Sequence, residues 1–102
     1  MIARLWHGRV RAEQADAYAA FLEARAIPDY RSVAGNRGVR ILRRDADDAV
    51  HFVTLSFWDS EAAIRAFAGD DLIKAKYYAE DAGFLLEFEP EVVHYTVTAS
   101  SG

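Results

Sequence analysis

Residues 51–67 read HFVTLSFWDSEAAIRAF, a stretch that begins as a strand and continues as a helix. Apolar side chains alternate along residues 51–58, which is typical of a strand. Asp59 or Ser60 is expected to cap the following helix, because a short polar side chain accepts a hydrogen bond from its first free N–H groups. A strand joined to an amphipathic helix indicates an α+β sheet layer. The apolar stripe of this helix consists of Ala63, Ile64 and Phe67.

The remaining elements follow from hydrophobic periodicity and from turn residues. The first helix should end near Ile27, because the residue before Pro28 disfavours the α-helical region. Gly69 is expected to end the second long helix. Further strands are predicted at residues 2–10, 39–44 and 91–98, helices at 12–26 and 70–78, and a hairpin turn at 45–48.

This order of strand, helix, strand, strand, helix and strand is the ferredoxin-like βαββαβ plan. It predicts an α+β fold whose antiparallel sheet has the strand order 4-1-3-2 and whose helices cover one face. The chain of 102 residues fits one domain over residues 1–98, with a frayed tail at residues 99–102.

Composition excludes several classes of protein. The chain has no cysteine, so disulfides, thiolate nucleophiles and cysteine-based metal sites are excluded. No apolar run is long enough for a transmembrane helix, and the first residues lack the apolar core of a signal peptide. We therefore expect no membrane association and a cytoplasmic location.

The net charge of −4 argues against a nucleic-acid partner. The charge is unevenly distributed, with a balance of +5 over residues 1–44 and −9 over residues 45–102. Two complementary halves that attract each other are the simpler interpretation, and an arginine-lined site for an anionic or quinone-like ligand is the alternative. A solvated strand face is the simpler interpretation of the arginines in the second-strand region, and steering of an anion is the alternative; these are Arg37, Arg40, Arg43 and Arg44.

Bulky apolar residues occur on both faces of the predicted sheet. A sheet covered by helices on one side should read polar on the other if it meets water. Trp6, Trp58 and Tyr95 are among the large side chains that an open sheet could leave exposed. We therefore expect a homodimer in which two sheets pack face to face about a two-fold axis.

Four segments resemble the antibiotic biosynthesis monooxygenase (ABM) family of the dimeric α+β barrel superfamily. The resemblance covers residues 1–98 and is carried by residues 1–10, the loop from Ile27 to Gly38, the Ser56–Ala62 junction, and the connection from Tyr77 to Phe84. It implies a pocket between the helices and the sheet of each subunit.

The resemblance also implies two kinds of chemistry. One branch of the family oxidises aromatic phenols to quinones with O2 and no cofactor, using Trp, Tyr and Asn or Arg side chains. A second branch degrades haem with an Asn, a Trp and a His. The matching positions here are His7, Phe67 and Tyr77, so the haem-degrading set is absent.

The expected site residues combine bases with aromatic side chains. His7 is the preferred general base and Tyr77 the second catalytic candidate, since an imidazole titrates near neutral pH and suits phenol deprotonation. The three histidines could gather at one end of the sheet, although separate structural roles are the simpler interpretation. A metal site is not expected. The substrate-binding candidates are Trp6, Trp58, Phe67, Tyr78, His51 and His94.

The sequence thus suggests a cofactor-independent monooxygenase that acts on a small phenolic or quinol compound. A non-catalytic dimeric module that binds a small hydrophobic ligand is the first alternative. An isomerase or cyclase that works by acid–base chemistry on the same scaffold is the second. Aromatic side chains also dominate cores and interfaces, so they do not decide between these functions.

Overall fold

A four-stranded antiparallel sheet forms the centre of the computed structural model, which describes residues 1–102. The strand order is β2-β3-β1-β4, which is the predicted order 4-1-3-2 read from the opposite edge. The predicted ferredoxin-like α+β fold is therefore confirmed. The strands are β1 (Ile2–Val10), β2 (Asn36–Asp45), β3 (Val50–Trp58) and β4 (Val93–Thr96).

Three α-helices cover one face of this sheet. Short 3-10 turns at Ala12–Gln14 and Ala79–Gly83 complete the helical structure. No helix has the length and apolar character needed to cross a membrane. The helices are α1 (Ala15–Phe21), α2 (Ile27–Arg31) and α3 (Glu61–Ala68), and a π-helical turn at Leu22–Ala26 joins α1 to α2.

The prediction that the first helix ends near Ile27 is wrong. Helical structure continues through α2, with Pro28 in its first turn. The π turn directly before Pro28 explains the continuation: the Ile27 N–H donates to the Leu22 carbonyl, five residues back. This wider turn accommodates the missing N–H and the ring of proline, which would disrupt a regular α-helix.

The long helix α3 begins and ends as predicted. The Ser60 hydroxyl accepts a hydrogen bond from the Ala63 N–H at 3.2 Å, so Ser60 is the cap. Gly69 ends the helix with a φ of 102°, a conformation that other residues adopt only with strain.

The predicted helix at residues 70–78 does not form. This segment is instead held by long-range backbone hydrogen bonds, from Ala75 N–H to the Pro90 carbonyl and from Val92 N–H to the Ile73 carbonyl. Tertiary pairing therefore outweighs local helix propensity here. Two strand boundaries also differ from prediction: β2 begins earlier, at Asn36, and β4 is shorter.

Strand alternation divides the side chains between two faces. Trp6 and Trp58 lie beneath the helices and are buried, contrary to the expectation that the open sheet could expose them. Tyr95 does lie on the other face and is 57% exposed. We call that helix-free side the open face; its apolar residues are Leu5, Leu42, Val53, Leu55, Phe57, Val93 and Tyr95.

Ion pairs join the basic first half of the chain to its acidic second half. Arg9 contacts both Asp48 and Glu87, at 2.8 and 2.7 Å. Arg37 makes two contacts of 2.7 Å with Asp59. These contacts favour the interpretation that the two halves attract each other.

Gly8 allows the indole of Trp6 to lie close to the backbone of β1. A Cβ atom at Gly8 would lie 2.5 Å from Cη2 of Trp6 and 3.0 Å from Cδ2 of Leu85. We therefore expect Gly8→Ala to lower the free energy of unfolding by about 1–3 kcal/mol, as overpacking does. Urea unfolding measures the change. Gly83→Ala is the matched control, since its Cβ meets nothing within 4 Å; equal stability of the two variants would contradict the prediction.

Candidate functional site

A narrow pocket lies between the helices and the covered face of the sheet. Its enclosed volume is only about 20 Å³. That is room for one or two waters, so an aromatic ligand needs some lining side chains to move. The aromatic part of the lining consists of Trp6, Tyr18, Tyr30, Phe67 and Tyr78.

Different elements deliver these aromatic side chains to one place. Trp6 points inward from β1, and Tyr18 and Tyr30 come from the two consecutive helices α1 and α2. Phe67 of α3 stacks on Tyr30, with ring centroids 4.4 Å apart. The pocket is therefore walled by the apolar stripes of all three helices.

Arg4 places a buried positive charge at the pocket. It is 2% exposed and donates to the carbonyls of Leu72 and Lys74 at 2.7 and 3.0 Å. Its third contact is Nε2 of His94 at 3.2 Å. Burial lowers the pKa of Arg4, and burial and the Arg4 charge lower the pKa of His94. His94 is therefore a neutral acceptor for the guanidinium.

Asp81 places a buried carboxyl group at the same pocket. It is 3% exposed and accepts hydrogen bonds from the Tyr18 hydroxyl at 3.0 Å and the Tyr78 N–H at 2.7 Å. No basic side chain pairs with it. Burial raises the pKa of Asp81 above its usual value, although these two hydrogen bonds oppose the shift. A carboxylate with a raised pKa is a stronger general base.

Lys76 is the second cation of the lining, and it is already paired. Its Nζ lies 2.7 Å from Oδ2 of Asp29, which also accepts a hydrogen bond from the Tyr78 hydroxyl. Burial opposes ionisation of Asp29, but these two contacts outweigh it and hold the pKa of Asp29 below its usual value. Lys76 also lies 4.2 Å from the ring centroid of Phe67.

The family model that matches this chain is named "Antibiotic biosynthesis monooxygenase" and covers residues 1–76. The chain belongs to the ABM family. Rv0793 from Mycobacterium tuberculosis is a solved structure with the same fold: its TM-score is 0.67 at 18% sequence identity, over 99% of this chain and 98% of that one. No functionally curated protein matches the sequence.

Three of the predicted site residues line this ABM pocket: Trp6, Phe67 and Tyr78. Tyr77 lies just outside, where its hydroxyl accepts from Trp6 Nε1 at 3.3 Å and donates to the Glu89 carbonyl. Trp58 is fully buried behind Phe67 and does not reach the cavity.

The three histidines do not form one site. His7 and His51 lie on the open face, with Nε2 of His7 2.9 Å from Nδ1 of His51, and Nδ1 of His7 contacts Glu89. His94 lies on the covered face beside Arg4, its partner in the strand register. No three His, Asp or Glu side chains are arranged to hold a metal ion. The structure contradicts the alternative in which all three histidines gather at one end of the sheet, because His94 lies on the opposite face from His7 and His51.

This geometry also separates His7 from the pocket in which a catalytic role is predicted for it. His7 stands one residue beyond Trp6 on β1, so the two side chains point to opposite faces. His51 lies with His7 on that open face. Neither histidine lines the pocket.

Sequence reasoning missed the polar lining of the pocket. The sequence contains one signal for Arg4. It points to the same, inward face of β1 as Trp6, and an arginine at an inward position of a central strand is unusual. The sequence contains no such signal for Asp81, because its burial depends on contacts across the fold. The missed lining residues are Arg4, Tyr18, Tyr30, Thr54, Lys76 and Asp81.

The raised pKa of Asp81 predicts a specific dependence of stability on pH. Its contribution is fully present below the unfolded pKa of about 3.9 and is lost as the pH rises through the higher folded value. Asp81→Asn does not titrate. We therefore expect the stability of the wild type relative to Asp81→Asn to be greatest in acid and to decline toward neutral pH. Urea unfolding of both proteins over a pH series measures this difference, and a constant difference would refute it.

Proposed function

We propose that the protein is a cofactor-independent monooxygenase of the ABM type that oxidises a small phenolic or quinol compound with O2. The observation that carries the proposal is the buried carboxyl group of Asp81 in a pocket walled by aromatic side chains. The aromatic walls suit a planar ring. The carboxylate suits removal of a phenolic proton.

The reaction proposed here balances without an added reductant. Asp81 takes the phenolic proton, and the electron-rich phenolate passes an electron to O2. The two radicals then combine at a ring carbon that bears hydrogen. One oxygen atom stays on the ring as the quinone carbonyl. The other leaves as water with the phenolic hydrogen and the ring hydrogen.

Oxygen uptake with a panel of phenols and quinols tests the activity, and product analysis under anaerobic conditions separates oxidation from isomerisation or cyclisation. We expect Asp81→Asn to lower kcat/KM by about 10²–10⁴-fold, the range for loss of a general base. In the wild type the acid limb of the pH profile should lie above the usual pKa of aspartate, because burial raises the pKa of Asp81.

Two outcomes would contradict this assignment. Normal turnover in Asp81→Asn together with lost turnover in His7→Ala would transfer the role of base to His7, as the sequence suggested. Ligand binding without oxygen uptake by any compound would favour the non-catalytic binding module. Tyr18→Phe is a useful companion variant, because it removes one hydrogen bond to Asp81 and leaves the carboxyl group in place.

We also propose that two copies of the chain pack through the open face. Leu42, Val93 and Tyr95 are 46%, 49% and 57% exposed there, beside the half-buried Leu5 and Leu55. Burial of such exposed apolar area against a second apolar surface stabilises the assembly by roughly 25 cal/mol per Å². In a dimer with two-fold symmetry, each copy contributes this same patch to the interface.

Leu55→Asp tests this interface, because it puts two like charges into the centre of the buried patch. We expect a two-chain mass for the wild type and a one-chain mass for the variant by light scattering after size exclusion. Ala62→Asp is the matched control: it adds the same charge at an exposed position of α3 and should remain dimeric. A wild type of one-chain mass would disprove the proposal.

A further inference from the structure

We infer that Arg4 is an anion receptor and that the ligand of the pocket is an aromatic molecule with an anionic oxygen, a carboxylate or a phenolate. The inference rests on the proposed binding of a phenolic ring in this pocket and names the part of the ring compound that decides specificity. It does not depend on whether oxygen is consumed.

Arg4 carries a buried positive charge that no carboxylate of the protein balances. A guanidinium stays protonated in proteins, and burial of a charge without an opposite charge is costly. No carboxylate forms an ion pair with Arg4; its contacts are two carbonyls and a neutral imidazole. An anion in the adjacent cavity would supply the missing countercharge.

The side chain of Arg4 also has unused hydrogen-bond donors. A guanidinium has five N–H groups in a planar fork, and Arg4 uses three of them: two on Nη1 and one on Nη2. The Nε–H and the second Nη2–H make no hydrogen bond within the protein. Two donors therefore remain for a ligand, the number that a carboxylate engages when it binds a guanidinium through both oxygens.

A purely structural role explains only part of this arrangement. Arg4 ties the segment around Leu72 and Lys74 to β1 through its two carbonyl contacts. A neutral donor such as glutamine could make such contacts without burying a charge. The charge is therefore the feature that calls for a ligand.

Lys76 is the other cation in the lining and the main rival for this role. Its ammonium group already has a carboxylate partner in Asp29. An incoming anion would have to compete with that partner. The unpaired charge of Arg4 makes it the better receptor.

A matched pair of probes tests the inference: 4-hydroxybenzoate, which is anionic, and 4-hydroxybenzamide, its neutral counterpart of similar shape. We expect calorimetry to show that the wild type binds the anion at least about tenfold more tightly, as a charge-assisted hydrogen bond predicts. Arg4→Gln should remove this preference and leave the affinity for the amide similar. Arg4→Lys keeps the charge but loses the fork, so it should keep part of the preference if Arg4→Gln fails to fold.

Arg11→Gln is the charge-matched control, because Arg11 is exposed and does not line the pocket. It should keep the full preference. 4-Nitrophenol tests whether the anionic oxygen of the ligand is a phenolate, because its ionised form absorbs visible light. Binding to the wild type should lower the pH at which 4-nitrophenol ionises, and binding to Arg4→Gln should not. A shift without a preference for the benzoate assigns the anion to the phenolate oxygen.

Three results would overturn the inference. In the first, the wild type binds 4-hydroxybenzoate and 4-hydroxybenzamide equally well and does not shift the ionisation of 4-nitrophenol. In the second, it binds none of the three probes. In the third, Lys76→Gln loses the preference for the anion and Arg4→Gln keeps it. Each result is independent of turnover. An anion preference without oxygen uptake would reject the monooxygenase and retain the role of Arg4, whereas turnover of quinols without an anion preference would do the reverse.

Discussion

The antiparallel pairing of β1 with β3 is the constraint on which the rest of the structure depends. Its register sets Arg4 opposite Ser56 and Trp6 opposite Thr54, on the face that the helices cover. A slip of one residue would move every side chain of the strand to the other face. The pocket chemistry and the apolar open face therefore both follow from this single register.

The pocket contains two ionisable side chains, Arg4 and Asp81, that are buried without an oppositely charged partner. Arg4 and Asp81 are stabilised by carbonyl, hydroxyl and backbone contacts rather than by opposite charges. In contrast, Lys76 and Asp29 neutralise each other. The cavity thus offers both an unpaired cation and a carboxyl group of raised pKa, together with aromatic walls. This combination suits a planar molecule that binds through an anionic oxygen and gives up a proton.

The contacts of His7 and His51 on the open face connect three distant segments. His7 contacts Glu89 of the C-terminal connection, and His51 follows the β2–β3 hairpin turn that carries Asp48. Arg9 reinforces both links through Glu87 and Asp48. This network fastens the hairpin and the connection to β1, beside the surface that we propose as the dimer interface. The histidines therefore have a clear structural role where they lie.

The fold could be predicted from the sequence, because the alternation along residues 2–10 and 51–58, the cap at Ser60 and the helix end at Gly69 are local signals that agree with the folded structure. It also identified Trp6, Phe67 and Tyr78, since large aromatic residues at inward positions meet in any such core. The burial of Asp81, and the pairing of residues 70–78 with the C-terminal segment instead of a helix, became visible only in the folded structure. These features depend on contacts between residues far apart in the chain, and local periodicity carries no information about such contacts.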